Sequence, residues 1–87
     1  MPLVHIPPQM RDLTAGAAEV AVAARTLRQA IAAVEALHPG FAARVSDGER
    51  LASGLAVSID GVVTSRGLLA QLQPESQVHF LPAFGGG

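Results

Sequence analysis

The chain ends H-F-L-P-A-F-G-G-G, which sets three glycines, Gly85, Gly86 and Gly87, behind an apolar segment and a proline. A chain-terminal α-carboxylate has a pKa of ~3.3–3.7 and is ionised at neutral pH. An ionised carboxylate is a poor acyl donor, so it must be activated before it can react. The usual biological route is a mixed anhydride with AMP. A site built around ATP admits a chain end only through a narrow channel. Glycine passes where a β-carbon would clash and takes whatever φ/ψ the channel imposes. From Pro82 to Gly87 the chain can extend about 20 Å at ~3.3–3.6 Å per residue. That reach lets a globular body dock outside while its end enters a buried site. Ordering such a tail costs ~1–2 kcal/mol per residue, which contacts made by the body must offset. A frayed end or an engineered linker is also glycine-rich. Here, however, the glycines follow a strand-like segment with no polar linker between.

The other residues that could carry chemistry are few. His5 and His79 share the solvent parity of two strands expected to be neighbours. A metal there would need a third and fourth ligand, and the sequence offers none, so both read as exposed strand positions that touch a partner. His38 closes a helix and is expected to meet its last carbonyls. Leu81, Pro82 and Phe84 lie beside the tail and read as an apolar docking patch. Arg11, Arg44, Arg50 and Arg66 read as solvated surface, giving a partner weak, salt-sensitive steering. Cysteine is absent, which excludes disulfides, thiolate metal sites, iron–sulfur clusters and cysteine nucleophiles. All six basic residues are arginine, so no side-chain amine is present to accept an acyl group.

These residues need a scaffold, and 87 residues with 49% hydrophobic content allow one domain. There is room for one sheet with a helix or two and little for an internal ligand cavity. A net charge of −1 without a basic patch argues against nucleic acid. No apolar run reaches the ~18 residues of a membrane span, and no charged segment opens a signal peptide. A cytoplasmic protein with no membrane partner is the expectation.

Alternation predicts strands over residues 3–7 and 18–24 around a turn at 13–16, with Val4, Ile6, Val20 and Val22 inward. Pro7 and Pro8 stop regular pairing. Thr26 with Gln29 forms a capping-box pattern that opens a helix. Its apolar stripe runs through Leu27, Ile31, Val34 and Leu37 or His38 until Pro39-Gly40 ends it. Phe41 and Val45 anchor a short helical turn, and Asp47-Gly48 marks another turn. Residues 55–59 form a strand with Leu55, Val57 and Ile59 inward. Asp60-Gly61 is a type I′ hairpin signal returning through residues 62–64. Leu68, Leu69 and Leu72 read as core anchors. Residues 77–81 make the last strand, with Val78 and Phe80 inward. The fold class is α+β: a β-grasp with a mixed sheet of four to five strands and one main helix on one face. Residues 1–82 form the domain and residues 83–87 a flexible tail.

Taken together, "HFLPAFGGG", "LHPGFAARVSDGERL" (37–51) and "LAVSIDG" (55–61) resemble the MoaD/ThiS sulfur-carrier family over essentially the whole chain. Gly85 and Asp60 depart from residues common there, a second small residue and asparagine, and both fit the same geometry. The resemblance implies a ubiquitin-like β-grasp protein that is a co-substrate, not a catalyst, and binds no cofactor. It implies that a ubiquitin-activating-type enzyme adenylates Gly87 with ATP and magnesium, while Gly85 and Gly86 thread its site. A sulfurtransferase or sulfide would then form a thiocarboxylate for a sulfur-accepting biosynthetic enzyme. Length favours a molybdopterin-synthase small subunit, or a cysteine- or thio-metabolite-type carrier, over the shorter thiamine carrier. With Gly87 last, no proteolytic maturation is expected. A modifier conjugated through Gly87, or a plain interaction domain, stays open beside this reading.

Overall fold

The computed structural model describes residues 1–83; Phe84, Gly85, Gly86 and Gly87 lie outside the described residues. The chain opens with strand β1 (Leu3–His5), crosses a 3-10 helix at Pro8–Thr14, and returns as β2 (Glu19–Ala21). Helix α1 (Leu27–Leu37) and the short α2 (Phe41–Val45) follow. Next come a small hairpin of β3 (Ser46–Asp47) and β4 (Arg50–Leu51), then β5 (Leu55–Ile59) and β6 (Val62–Val63). A 3-10 turn at Gly67–Leu69 leads to β7 (Gln77–Pro82). The main sheet has the order β2-β1-β7-β5-β6. β1 runs parallel to β7 and every other pairing in it is antiparallel. The last strand is therefore the central one, and the tail leaves from the middle of the fold.

The core lies between the inner sheet face and α1. Val4, Val57, Val78 and Phe80 face Leu27, Ala30, Ile31 and Val34, all at most 5% exposed. The ring of Phe80 meets Phe41 of α2 edge-on, with centroids 5.8 Å apart at 75°. Thr26 caps α1, its hydroxyl accepting from the Gln29 amide at 3.2 Å. The Gln29 carboxamide oxygen accepts from the Arg25 amide at 2.8 Å, one residue beyond the N-cap amide of the usual reciprocal contact.

Several expectations are corrected. Both hairpin strands are shorter than the alternation implied, because Pro7 and Pro8 lack amide protons and end β1 at His5. The connection is the 3-10 helix rather than a lone turn at 13–16, and it buries Met10 and Thr14. Leu37 and Leu69 are exposed, at 62% and 66%. A 3-10 turn has three residues per repeat, so it sends Leu68 inward and its neighbour outward. Asp47-Gly48 turns a two-stranded hairpin that had been expected only as a turn. At the end of α1 it is the His38 amide, not its imidazole, that donates to the Val34 carbonyl, at 2.7 Å. Glu35 supplies the next link: its carboxylate accepts from the amides of Gly40, at 3.1 Å, and Ala42, at 2.8 Å, capping α2. On the opposite flank Arg28 of α1 pairs with Glu49. The hydrogen bond first, and the opposite charge second, hold the Glu49 carboxyl below its usual range. Both groups are solvated, so the pair contributes little to stability.

Candidate functional site

The candidate site is the point where β7 hands the chain to its tail. Alternation buries Val78 and Phe80 and turns His79 and Leu81 outward. Leu55↔Pro82, Ala56↔Leu81 and Val57↔Phe80 pair this segment with β5. The Ala83 amide donates to the Gly54 carbonyl at 2.9 Å, so the backbone stays tied to the sheet through that residue. Phe80, packed on Phe41, anchors the strand from beneath. The tail therefore begins from a fixed point rather than from a loose end.

Leu81 is half-buried and Pro82 is exposed. Leu81 lines two shallow hollows on either side of β7. One is bounded by His5, Pro7, Arg11 and His79, and the other by Met10, Arg44, Leu55 and Pro82. The structure thus brings the expected docking residues Leu81 and Pro82 together at the tail's root. Phe84 and the glycines fall outside the described residues. Arg44, Arg50 and Arg66 are exposed as expected. Arg11 is half-buried, its Nε donating to the Ile6 carbonyl at 3.0 Å.

The hairpin beside β7 holds a residue whose role the sequence had read too narrowly. Asp60 and Gly61 both have positive φ, at 52° and 85°, the type I′ turn foreseen. The Asp60 carboxylate also accepts from the Ser76 hydroxyl and the Gln77 amide, each at 2.8 Å. It thereby fixes where β7 starts. Ser76 is 1% exposed, so losing its acceptor would strand a buried hydroxyl. Asp60→Ala is expected to lower stability by about 2–3 kcal/mol, and Asp60→Asn, which keeps an acceptor for Gln77, by about 1 kcal/mol. Urea unfolding of the two variants would test this order.

His5 and His79 do meet. Their rings stack with centroids 4.1 Å apart and planes 4° from parallel. Among the described residues, no group of three or more histidine, cysteine, aspartate or glutamate side chains could hold a metal ion. No described helix is long and apolar enough to cross a membrane.

A five-stranded mixed sheet grasping one main helix, with the tail issuing from its central strand, defines a ubiquitin-like β-grasp domain. The ThiS family model matches residues 4–87, and the chain belongs to that family, as its resemblance to MoaD/ThiS sulfur carriers had implied. The structure of an Amycolatopsis orientalis BexX/CysO complex contains a chain that matches at 30% identity with a TM-score of 0.90, covering 100% of both chains. Mycobacterium tuberculosis CysO, described as an antigen, matches at 26% identity with a TM-score of 0.86, over 95% of this chain and 99% of that one. SAMP1 from Haloferax volcanii, at 21% identity and a TM-score of 0.71 over 99% and 98% of the two chains, shares the fold. No curated protein matches closely enough to add to these comparisons.

Proposed function

We propose that this protein is a sulfur carrier whose Gly87 carboxylate becomes a thiocarboxylate. The observation that carries the reading is the family match running through residue 87, on a fold whose central strand leads into that end. In the first step a Gly87 carboxylate oxygen attacks the α-phosphorus of ATP, bound with magnesium on an adenylating enzyme of the ubiquitin-activating type. Pyrophosphate leaves and an acyl adenylate forms. Hydrosulfide, free or released from a sulfurtransferase persulfide by a thiol that is oxidised to a disulfide, then attacks the acyl carbon. AMP leaves, one proton is released, and a thiocarboxylate remains. Its sulfur is anionic at neutral pH and a better nucleophile than the carboxylate oxygen, which suits delivery to an accepting biosynthetic enzyme. The pathway would be molybdopterin, cysteine, thiamine or a related thio-metabolite.

The protein itself contributes presentation. The sheet holds the root of the tail, the glycines thread the partner's channel, and Leu81, Pro82 and Phe84 supply apolar contact outside it. Arg11 and Arg44 beside the root suit an acidic rim on the partner. The CysO chain that shares this fold was crystallised in complex with BexX, which supports docking of a partner enzyme here too.

Intact mass spectrometry after incubation with the cognate adenylating enzyme, ATP, magnesium and sulfide tests the reading. The expected result is a gain equal to exchange of one oxygen for one sulfur. An unchanged mass, with the enzyme active on another carrier, would overturn it. Covalent adducts on target lysines in cells would then identify a conjugated modifier instead.

A further inference from the structure

The outer sheet face carries one continuous cross-strand row. Glu19 on β2 opposes His5 on β1, His5 opposes His79 on β7, His79 opposes Ser58 on β5, and Ser58 opposes Val63 on β6. The two histidines occupy the last rung of the β1–β7 ladder, which is only three pairs long. Beyond that rung Pro7 and Pro8 cannot continue the pairing. The stacked rings therefore close the parallel seam where it would otherwise end open, two residues before Leu81 and the root of the tail. We propose that the His5–His79 stack is a proton-sensitive clasp on the β1–β7 seam, closed while His79 is neutral and loosened when both rings carry charge.

The surroundings of the two rings differ. His5 Nε2 lies 2.7 Å from the Gln77 carboxamide oxygen, and Nδ1 lies 3.6 Å from a Glu19 carboxylate oxygen. A charged His5 would keep an acceptor facing each nitrogen. His79 has no side-chain hydrogen bond of this kind among the described residues, and its ring lies flat against His5. Among the described residues, Arg11 is the other charged side chain that lines the same hollow. When His5 is charged, a proton on His79 places like charges in stacked rings 4.1 Å apart. Partial burial first, and the charge on His5 second, hold the His79 imidazole below the usual histidine range.

The direction of the pH effect follows. A group whose folded-state pKa lies below its unfolded value adds stability that is present above the unfolded value, ~6.5 for histidine. That stability is lost as pH falls through the folded value. The clasp acts on the fold's own seam, so the inference stands whatever chemistry the tail performs.

Melting temperatures at pH 7.5 and 5.0, for the wild type and for His79→Phe, test it. Phenylalanine keeps a ring for stacking and removes the titration. The wild type is expected to lose on the order of 2–5 °C more on acidification than the variant. Two measurements on the wild type guard against a variant that packs badly. Imidazole NMR titration should place His79 below ~6.5. Hydrogen-exchange protection along Leu3–His5 and Gln77–Pro82 should fall with acid relative to that of α1. Equal acid losses in the two proteins, His79 titrating at or above the free-histidine value, or a uniform change in protection would each overturn the clasp.

Discussion

Deleting Gly87 is expected to abolish sulfur loading while leaving the melting temperature within about 1 °C of the intact protein. The two halves of that result have separate causes. Loading fails because the acyl group must reach the α-phosphate of ATP at bonding distance. A chain one residue shorter ends about 3.3–3.6 Å too soon. Misplacing reacting atoms by even ~1 Å can cost on the order of a hundredfold in rate. Sliding the body forward to compensate would drive Leu81 and Pro82 into the partner's surface. Stability is unchanged because the core closes upstream of the tail. Phe80 is packed on Phe41, and the last described backbone tie to the sheet is that of Ala83 to Gly54. Gly86→Ala is a milder version of the same test. It keeps the length and adds one methyl group in the channel, so loading is expected to slow at least tenfold without loss of fold. Intact mass spectrometry, with circular-dichroism melts as the control, reads both variants. A truncated protein that loads at the wild-type rate would sink the carrier reading.

The sequence was legible wherever a local rule had only one structural outcome. Thr26 with Gln29 marked the start of α1, and the hydroxyl is found on the Gln29 amide. Asp60-Gly61 admitted one tight turn, and both residues have the positive φ it requires. Alternation sorted Val78 and Phe80 from His79 and Leu81, which sufficed to put the two histidines side by side and to bring Leu81 to the tail's root. What escaped was decided by tertiary partners. The 3-10 helix at Pro8–Thr14 has no apolar period of its own and exists because Met10 and Thr14 reach the core. Leu69 looks as apolar as Leu68, and only the geometry of the turn tells them apart. Glu35 resembles any solvent-facing helical glutamate until the chain doubles back after Gly40 and brings two amides to it. Asp60 was read as a turn residue because its other partners, Ser76 and Gln77, lie more than a dozen residues along the chain. Of the candidate site, the outward parity of Leu81 was legible from alternation, while Phe84 and the glycines lie outside the described residues. The ring-on-ring geometry of His5 and His79 was not legible, since parity fixes a face and not an orientation.

Ile31→Asp should leave the protein unfolded at 25 °C. Ile31 sits at the middle of the α1 stripe, 5% exposed, in the core cluster with Val34 and Leu27. Removing its side chain forfeits about 1.5–3 kcal/mol of apolar burial. The replacement carboxylate is set in the core cluster, at a hollow lined also by Ala42 and Leu68 and bordered by Arg28. It must either stay ionised at a cost of several kcal/mol or take a proton far above its ordinary pKa. A domain of this size has about 5–15 kcal/mol in total, usually nearer the lower figure. The sum of the two losses is therefore comparable to all of it. Glu35→Gln, on the same helix, forms the contrast. It keeps a carbonyl oxygen for the Gly40 and Ala42 amides and loses only the charge, so about 0.5–1 kcal/mol is expected. Far-ultraviolet circular dichroism and urea titration separate the cases. An Ile31→Asp protein with native ellipticity and an unshifted midpoint would mean that α1 does not present this face to the sheet. The tail root would then lack its fixed support, because Phe80 and Val78 are held from below by the core that this helix completes.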